Sequence, residues 1–487
     1  MDILLISPPL SVEERYGNRK VGKYSGGHLP PLGIAYIAGF LRNSGFSTQI
    51  IDSSAYNLTD NDILQKINDF KPKVIGLSAI TPTFNRATKL ATIIKNNFPD
   101  ILLVIGGHHA SILPVETLQE SPSFDLLVYG EGEITSLELL KSYKECGFNR
   151  DALLSNEGAL NNIAGIAFRK SAKIVVTPSR MPISNLDILP YPAWDLLPMD
   201  KYIPLPNQYF NKPVVHMVAT RGCAFQCSFC SNNAVFGRRL HALSPKRLTE
   251  AIKYVKSNLG AREISFWDDS MTTDNAWLME FCRLMVEEKM DTSWTCYSRV
   301  DTVTKELLNL MKKAGCWNIF YGFESGNQSL LDLIDKKINL EQIRQTNRWT
   351  KEAGIEVRAS FMLALPGETP EMAEETINFA ICLEPDYAQF SITTPFPKTK
   401  LYEDAKKYGI LLKDYSKYNM WEVVFVPSGY RDAQEVKEME RRAFKRFYLR
   451  LNYFLGRIKK IRSASDILRY IKGLLFVIGF IFRKNEK

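Results

Sequence analysis

The chain has 487 residues, 45% hydrophobic and 24% charged, which excludes a disordered or collagen-like polymer and suggests about three domains. Its formal charge of +9 is uneven: residues 431–487 carry 16 Lys and Arg against 6 Asp and Glu, hence +10, leaving the rest near −1. A basic tail on a near-neutral body argues against a nucleic-acid-binding protein. Met1-Asp2-Ile3-Leu4-Leu5-Ile6 has no basic n-region and is not read as a signal peptide. Five of the eight cysteines are dispersed, which fits a reducing, cytoplasmic setting better than a disulfide scaffold.

Residues 1–145 read as one doubly wound α/β domain. Apolar runs at Asp2–Ile6, Ser47–Asp52, Val74–Ser78, Leu102–Ile105 and Asp125–Tyr129 are strands. Helices are expected from Pro30 to about Asn43, over Asp62–Phe70 and over Asn85–Asn97. Such alternation predicts a parallel sheet whose ligand lies outside the carboxyl ends of its strands. Those ends carry Pro8-Pro9, Asp52, Ser78, Gly106-Gly107-His108-His109 and Gly130-Glu131-Gly132-Glu133. No GxGxxG follows the first strand, so a standard dinucleotide site is not expected.

Residues 146–210 read as a connector. Ile163–Arg169 and Lys173–Val176 form a hairpin around Lys170-Ser171-Ala172. Prolines at 178, 182, 190, 192 and 198 then make a stiff, extended segment.

Residues 211–410 hold six strand-plus-loop units, beginning with Pro213–Ala219 and ending with Tyr387–Ile392. With helices between them they predict a partial (β/α)6 barrel, its polar residues at the carboxyl ends of the strands. The first strand runs into Cys223, Cys227 and Cys230, three thiols within eight residues. Three close thiolates suit a soft metal or an iron–sulfur cluster. Structural zinc takes four Cys or His ligands. No downstream Cys-x2-Cys or His pair supplies a fourth; His241 stands alone. A cluster with one open iron is the favoured reading, with zinc and unliganded or disulfide-linked cysteines as alternatives. Later strands lead to Asp268-Asp269, Ser298-Arg299, Glu324 and Leu365-Pro366-Gly367-Glu368-Thr369, and Arg358 lies within one of them.

Residues 411–487 form a basic helical tail. A helix is expected over Ala433–Leu455, then an apolar run over Tyr470–Phe482 flanked by Lys459, Lys460, Arg462, Arg483, Lys484 and Lys487. The run is short for a bilayer span of about twenty residues. Apolar residues between basic ones suit an anionic membrane surface; a buried or dimer-forming helix is the alternative.

The first domain resembles the cobalamin-binding domain that precedes many radical S-adenosylmethionine enzymes. The matching pieces are Pro30-Pro31-Leu32-Gly33, Ser78-Ala79-Ile80-Thr81, Gly106-Gly107-His108-His109-Ala110 and Gly130-Glu131-Gly132-Glu133. The central domain resembles the radical S-adenosylmethionine superfamily, on Cys223-x3-Cys227-x2-Cys230 with Phe229 before the last cysteine. Together, over about residues 1–410, they are similar to the class that includes magnesium-protoporphyrin cyclase-like and hopanoid-modifying proteins.

This resemblance implies an enzyme with a 4Fe–4S cluster on the three cysteines, S-adenosylmethionine, cobalamin and an external one-electron reductant. It places Asp268 at the methionine amine, Glu324 at the ribose and Arg358 at the cofactor carboxylate, with Ser78, Gly106, Gly107, His109, Gly130 and Glu131 about the cobalamin. The Asp-x-His-x-x-Gly motif that supplies a lower cobalt ligand elsewhere is absent, which implies binding without that histidine. The reaction implied is C-methylation of an unactivated carbon in a small or lipid-like substrate. A radical cyclase or oxidase, a methylthiotransferase acting on RNA or protein, and a non-catalytic sensor are the alternatives. No nucleic-acid partner is expected.

Overall fold

The computed structural model describes residues 1–17, 26–171, 173–461 and 463–481. Ala172, Arg462, Phe482, Arg483, Lys484, Lys487 and positions 18–25, on which parts of the reading above rest, lie outside the described residues. The chain divides into two compact units. One comprises residues 1–11, 30–201 and 231–237; the other comprises 12–29, 202–230 and 238–487.

The first unit is built on strands β1 (Ile3–Ser7), β2 (Thr48–Asp52), β3 (Val74–Ser78), β4 (Leu102–Gly106), β5 (Leu126–Val128), β6 (Ile166–Lys170) and β7 (Lys173–Val176). They form one sheet in the order β2-β1-β3-β4-β5-β6-β7. The first five are parallel, and β6 and β7 join antiparallel. Leu4, Ile6, Ile75, Leu103 and Ile105 are essentially fully buried, as expected of strands covered on both faces. The hairpin therefore extends this sheet rather than standing in a separate connector. Ala167 and Phe168 are buried, and burying them requires β5 as a partner.

The proline-spaced segment is laid against the helix Leu32–Asn43, where Ala193 N donates to Ala35 O at 2.9 Å. A Cβ on Gly39 would stand 2.4 Å from the Tyr191 carbonyl oxygen, so only glycine allows this approach.

The second unit continues with β8 (Val214–Met217), β9 (Thr220–Arg221), β10 (His241–Ala242), β11 (Glu263–Phe266), β12 (Ser293–Ser298), β13 (Cys316–Glu324), β14 (Glu356–Leu363) and β15 (Tyr387–Ile392). Six of these make an all-parallel sheet in the order β15-β14-β13-β12-β11-β8. Strands adjacent in sequence are adjacent in the sheet, with helices between them, as in a partial (β/α)6 barrel.

Alternation divides the side chains between two faces. Phe266 and Trp294 pack with Phe281 of the helix Asn275–Glu287, ring centroids 5.8–6.0 Å apart. Complete burial of Phe266 contributes roughly 1.5–3 kcal/mol. On the other face, Trp267, Tyr297 and Phe320 pack in succession with ring centroids 5.7 and 5.2 Å apart, the first pair tilted and the second edge-to-face.

The tail departs from the single helix expected over 433–455. A helix Ala433–Tyr448 ends at Leu449, and a second, Leu451–Ile458, restarts. Arg450 explains the break: its guanidinium donates to Phe447 O at 2.8 Å and Ile381 O at 3.0 Å, satisfying carbonyls where two helices end. A third helix spans Ala464–Ile481. Among the described residues no helix is long and apolar enough to cross a membrane.

Candidate active site

The cysteine loop leaves β8 and is closed at its base by the two-residue ladder of β9 and β10, Arg221 opposite His241 and Thr220 opposite Ala242. Leu243 N donates to Ala219 O at 2.9 Å just below it. Within the loop, Ser228 N donates to Ile334 O and Leu401 N to Ser228 O, both at 2.9 Å. Phe229 packs on Leu330, Ile334, Met362 and Leu365, so the aromatic residue before the last cysteine is the loop's apolar anchor. Cys223 and Cys227 are half-buried and Cys230 is exposed. Burial holds the Cys223 thiol above its ordinary value and the charge of Asp269 adds to this, against an amide hydrogen bond from Phe225. A thiol so protected is easily kept reduced, and coordination to a metal would reverse the balance by deprotonating it. Among the described residues no three His, Cys, Asp or Glu side chains are placed to hold a single ion. A cube of iron and sulfur takes its thiolates on separate irons, a donor set that three thiols on one loop can supply.

Arg299, a strand-end residue to which the sequence alone assigns no role, stands against the cysteine loop. Its guanidinium lies 3.7 Å from the Phe225 ring centroid, and Nη1 donates to Cys227 Sγ at 3.3 Å. Asp301 grips it through two 2.9 Å bonds, and Nη2 donates to Lys336 O at 2.7 Å. The guanidinium is thus a fixed donor to the Cys227 sulfur, held from three sides. The available signal was its position directly after β12, at the carboxyl end of a barrel strand.

The strand-end carboxylates divide in role. Asp268, two residues beyond β11, is buried, and its Oδ1 accepts from the amides of Ala219 and Thr220 on the way into the cysteine loop. Burial pushes this carboxyl up to about 7, against those amides. Asp268 thus ties β11 to the loop, while its exposed neighbour Asp269 is the one whose charge reaches Cys223.

Glu324 ends β13 at φ +61° after a register shift, and Lys336 Nζ donates to its Oε1 at 2.7 Å with both side chains buried. A Cβ on Gly322 would fall 2.3 Å from that oxygen, so glycine makes room for the pair. Lys336 Nζ also stands 5.7 Å from the Phe229 ring centroid, which links Glu324 to the cysteine loop.

Arg358 is not brought to this group. It pairs across from Phe320 and Tyr387, three residues before Phe361, which faces Glu324; that is about 10 Å deeper along the strand. Its guanidinium stacks 4.8 Å from the Phe320 ring centroid. Glu368 closes the turn Leu365–Thr369: its Oε1 accepts from Ala364 N and from the Tyr430 hydroxyl, each at 2.6 Å.

In the first unit, half-exposed Ser78, Gly106, Gly107 and Gly130 lie at the carboxyl ends of β3, β4 and β5. Gly107 has φ +94°, and a Cβ there would stand 2.7–2.8 Å from Ala79 backbone atoms and Ser78 Oγ. Gly130 has φ +75° and open space where a side chain would start. These small residues form a rim that a large flat ligand can approach closely.

Two expectations change. His109 is 1% exposed, its ring stacked 4.1 Å on Phe84, and burial lowers it to about 4. It is a packed neutral histidine, whereas His108 is half-buried with Nε2 3.1 Å from Ser231 Oγ. Glu131 is buried, and its Oε2 accepts from Ile183 N at 2.6 Å, anchoring the proline-spaced segment.

Residues 18–140 match the family model of the B12 binding domain, and residues 217–380 that of the Radical SAM superfamily. An uncharacterized methyltransferase of Pyrococcus horikoshii is 34% identical over 478 residues, 98% of each chain. An anaerobic magnesium-protoporphyrin IX monomethyl ester cyclase of Rubrivivax gelatinosus is 31% identical over 453 residues, covering 92% of this chain and 78% of that one. Among solved structures, the radical S-adenosylmethionine methyltransferase TsrM from Kitasatospora setae, with cobalamin and a 4Fe–4S cluster bound, shares the fold. Its TM-score is 0.72 at 14% identity, over 98% of this chain and 99% of that one. Fold and cysteine loop define a radical S-adenosylmethionine enzyme. The chain belongs to the branch of that superfamily that carries an N-terminal B12-binding domain.

Proposed function

We propose that this enzyme methylates an unactivated carbon of a small or lipid-like substrate. The observation that carries the reading is one chain holding both a three-thiol loop braced by Arg299 and a glycine rim at the ends of a B12-type sheet. Methylation is favoured over other outcomes by the near-full-length similarity to the Pyrococcus methyltransferase. When bound, the cluster supplies the electron that cleaves S-adenosylmethionine and cobalamin the methyl group to be transferred.

The chain's own residues do the rest. Cys223, Cys227 and Cys230 hold the cluster, and Arg299 fixes the Cys227 sulfur in place through its hydrogen bond. Asp268 positions the strand before the loop, and Asp269 offers the exposed carboxylate to the methionine amine. Glu324, fixed by Lys336, presents a carboxylate towards the ribose. Ser78, Gly106, Gly107 and Gly130 let the cobalamin approach the backbone. An external one-electron donor completes the system. The eight free cysteines fit a cytoplasmic setting, and the tail is the part read as meeting a membrane surface.

A second reading, radical cyclisation or oxidation, is favoured by the similarity to the Rubrivivax cyclase. Anaerobic reconstitution, followed by incubation with methyl-deuterated S-adenosylmethionine and extracts of the source cell, separates the two. Methylation yields S-adenosylhomocysteine, 5′-deoxyadenosine and a deuteromethylated product. Deoxyadenosine with a dehydrogenated or cyclised product and no label overturns it.

A further inference from the structure

We infer that the last two helices seat the protein on an anionic phospholipid surface, with a lipid headgroup phosphate held in the basic cavity beside them. This rests on the membrane reading of the tail and adds the partner's chemistry.

The helix Ala464–Ile481 is apolar on two faces, and only one is covered by the described residues. Phe480 is buried, its ring 4.7 Å from Phe444 and 5.0 Å from Trp421. On the other side Ile467, Leu468, Ile471, Leu474, Leu475 and Ile478 are all exposed, at spacings that form one stripe. The preceding helix repeats this with Leu451, Leu455 and Ile458, Leu451 at 71% exposure. So extended an apolar surface is an interaction site. The +10 charge of residues 431–487 and exposed Lys459 give it the sign that anionic lipid attracts.

The same two helices wall a cavity of about 560 Å³, a volume suited to a small ligand. It opens where β13, β14 and β15 begin, at the opposite end of the sheet from the cysteine loop; β14 alone spans about 26 Å. It is therefore not the place where the radical reacts. Six cations line it: Lys312, Lys351, Arg450, Arg457, Lys460 and Arg469. Three carboxylates face them, and two are already engaged: Asp386 by Arg457 and Lys460, and Glu356 by Lys460 at 3.2 Å. Arg469 pairs with Asp466 at 3.0 Å, while Lys312 and Lys351 donate to the carbonyls of Gly354 and Leu383 at 2.6 and 3.3 Å, Lys351 also feeling the charges of Asp386 and Glu384, so the wall still holds more cations than carboxylates. A phosphate meets that surplus with charge-assisted hydrogen bonds. Arg457 and Arg469 reach the cavity from the inward faces of the two helices whose outward faces expose the apolar stripe, so headgroup site and stripe are carried by the same two helices.

Co-sedimentation of the full-length protein with phosphatidylcholine vesicles, with and without phosphatidylglycerol, tests this. The wild type is expected to bind only the anionic vesicles. K312Q/K351Q, which alters two exposed side chains, should weaken that binding about tenfold. L468S/L475S should abolish it, with circular dichroism unchanged in both. No vesicle binding by the wild type, or a dimer that hides the stripe in sedimentation velocity, overturns the membrane reading and this inference with it. Anionic-vesicle binding unaffected by K312Q/K351Q overturns the headgroup site and leaves the membrane reading standing. Thermal stabilisation by soluble glycerol 3-phosphate, lost in K312Q/K351Q but without vesicle binding, overturns the lipid and assigns the cavity to a free phosphate ester.

Discussion

Arg299 joins three things at one guanidinium: the Cys227 sulfur, the Phe225 ring and the carboxylate of Asp301. With Cys227 as a proposed cluster ligand, a positive charge so near it would stabilise the extra electron of the reduced state. R299Q is therefore expected to lower the midpoint potential of the reconstituted cluster by about 60 mV, a tenfold change for a one-electron couple. Redox titration followed by electron paramagnetic resonance reads this without any need for turnover. Glu324 and Lys336 make a different case. Both side chains are under a tenth exposed, so removing one leaves the other buried and uncompensated. E324Q should lower unfolding stability by roughly 3–5 kcal/mol in denaturant melts, and E324Q/K336M should recover part of that loss. The cysteines were legible because three thiols at this spacing have few other uses. Arg299 and Lys336 were not, because their partners lie 72 and 12 residues away in the chain.

At the scale of elements, local preference and packing pull in opposite directions at Gly39. In an isolated helix, alanine would gain about 1 kcal/mol over glycine. Here its Cβ would meet the Tyr191 carbonyl at 2.4 Å, and such overpacking costs about 1–3 kcal/mol. G39A is expected to destabilise the chain, read as a lower midpoint in urea. The turn after β14 carries a pH dependence. Burial pushes Glu368 up to about 7, with Tyr430 and the Ala364 amide opposing. Between the ordinary 4.5 and about 7 the folded chain keeps a proton that the unfolded chain has lost. Stability from this group is therefore complete below that window and is lost as pH rises through 7. Compared with the wild type, E368Q should show a flatter decline in melting temperature from pH 5 to pH 8. The parallel strands were legible as apolar runs. The hairpin's place in the first sheet was not, since nothing local distinguishes a free hairpin from one that pairs with β5.

At the scale of the molecule, each unit is assembled from separate stretches of chain. The segment 231–237, directly after Cys230, belongs to the first unit, where its helix Asn233–Phe236 packs on the helix His108–Ile112. A fragment ending at residue 201 lacks that segment. It should bind cobalamin more weakly than the whole chain and melt at a lower temperature, as followed by absorbance titration and calorimetry. Its cobalamin spectrum should also show no histidine ligation from below, because no Asp-x-His-x-x-Gly motif is present.

The sequence by itself determined the class of chemistry and the two α/β layouts. Thiol spacing and strand periodicity are local properties, written in consecutive residues. Only the tertiary structure decided where the polar residues of the proposed site stand and what they touch. It placed Asp268 under the loop and left Asp269 exposed, held Arg358 among aromatic rings, buried His109 on Phe84 and set Arg299 against Cys227. Burial and partnership arise when distant segments meet, and one residue's step along a strand turns a side chain to the opposite face.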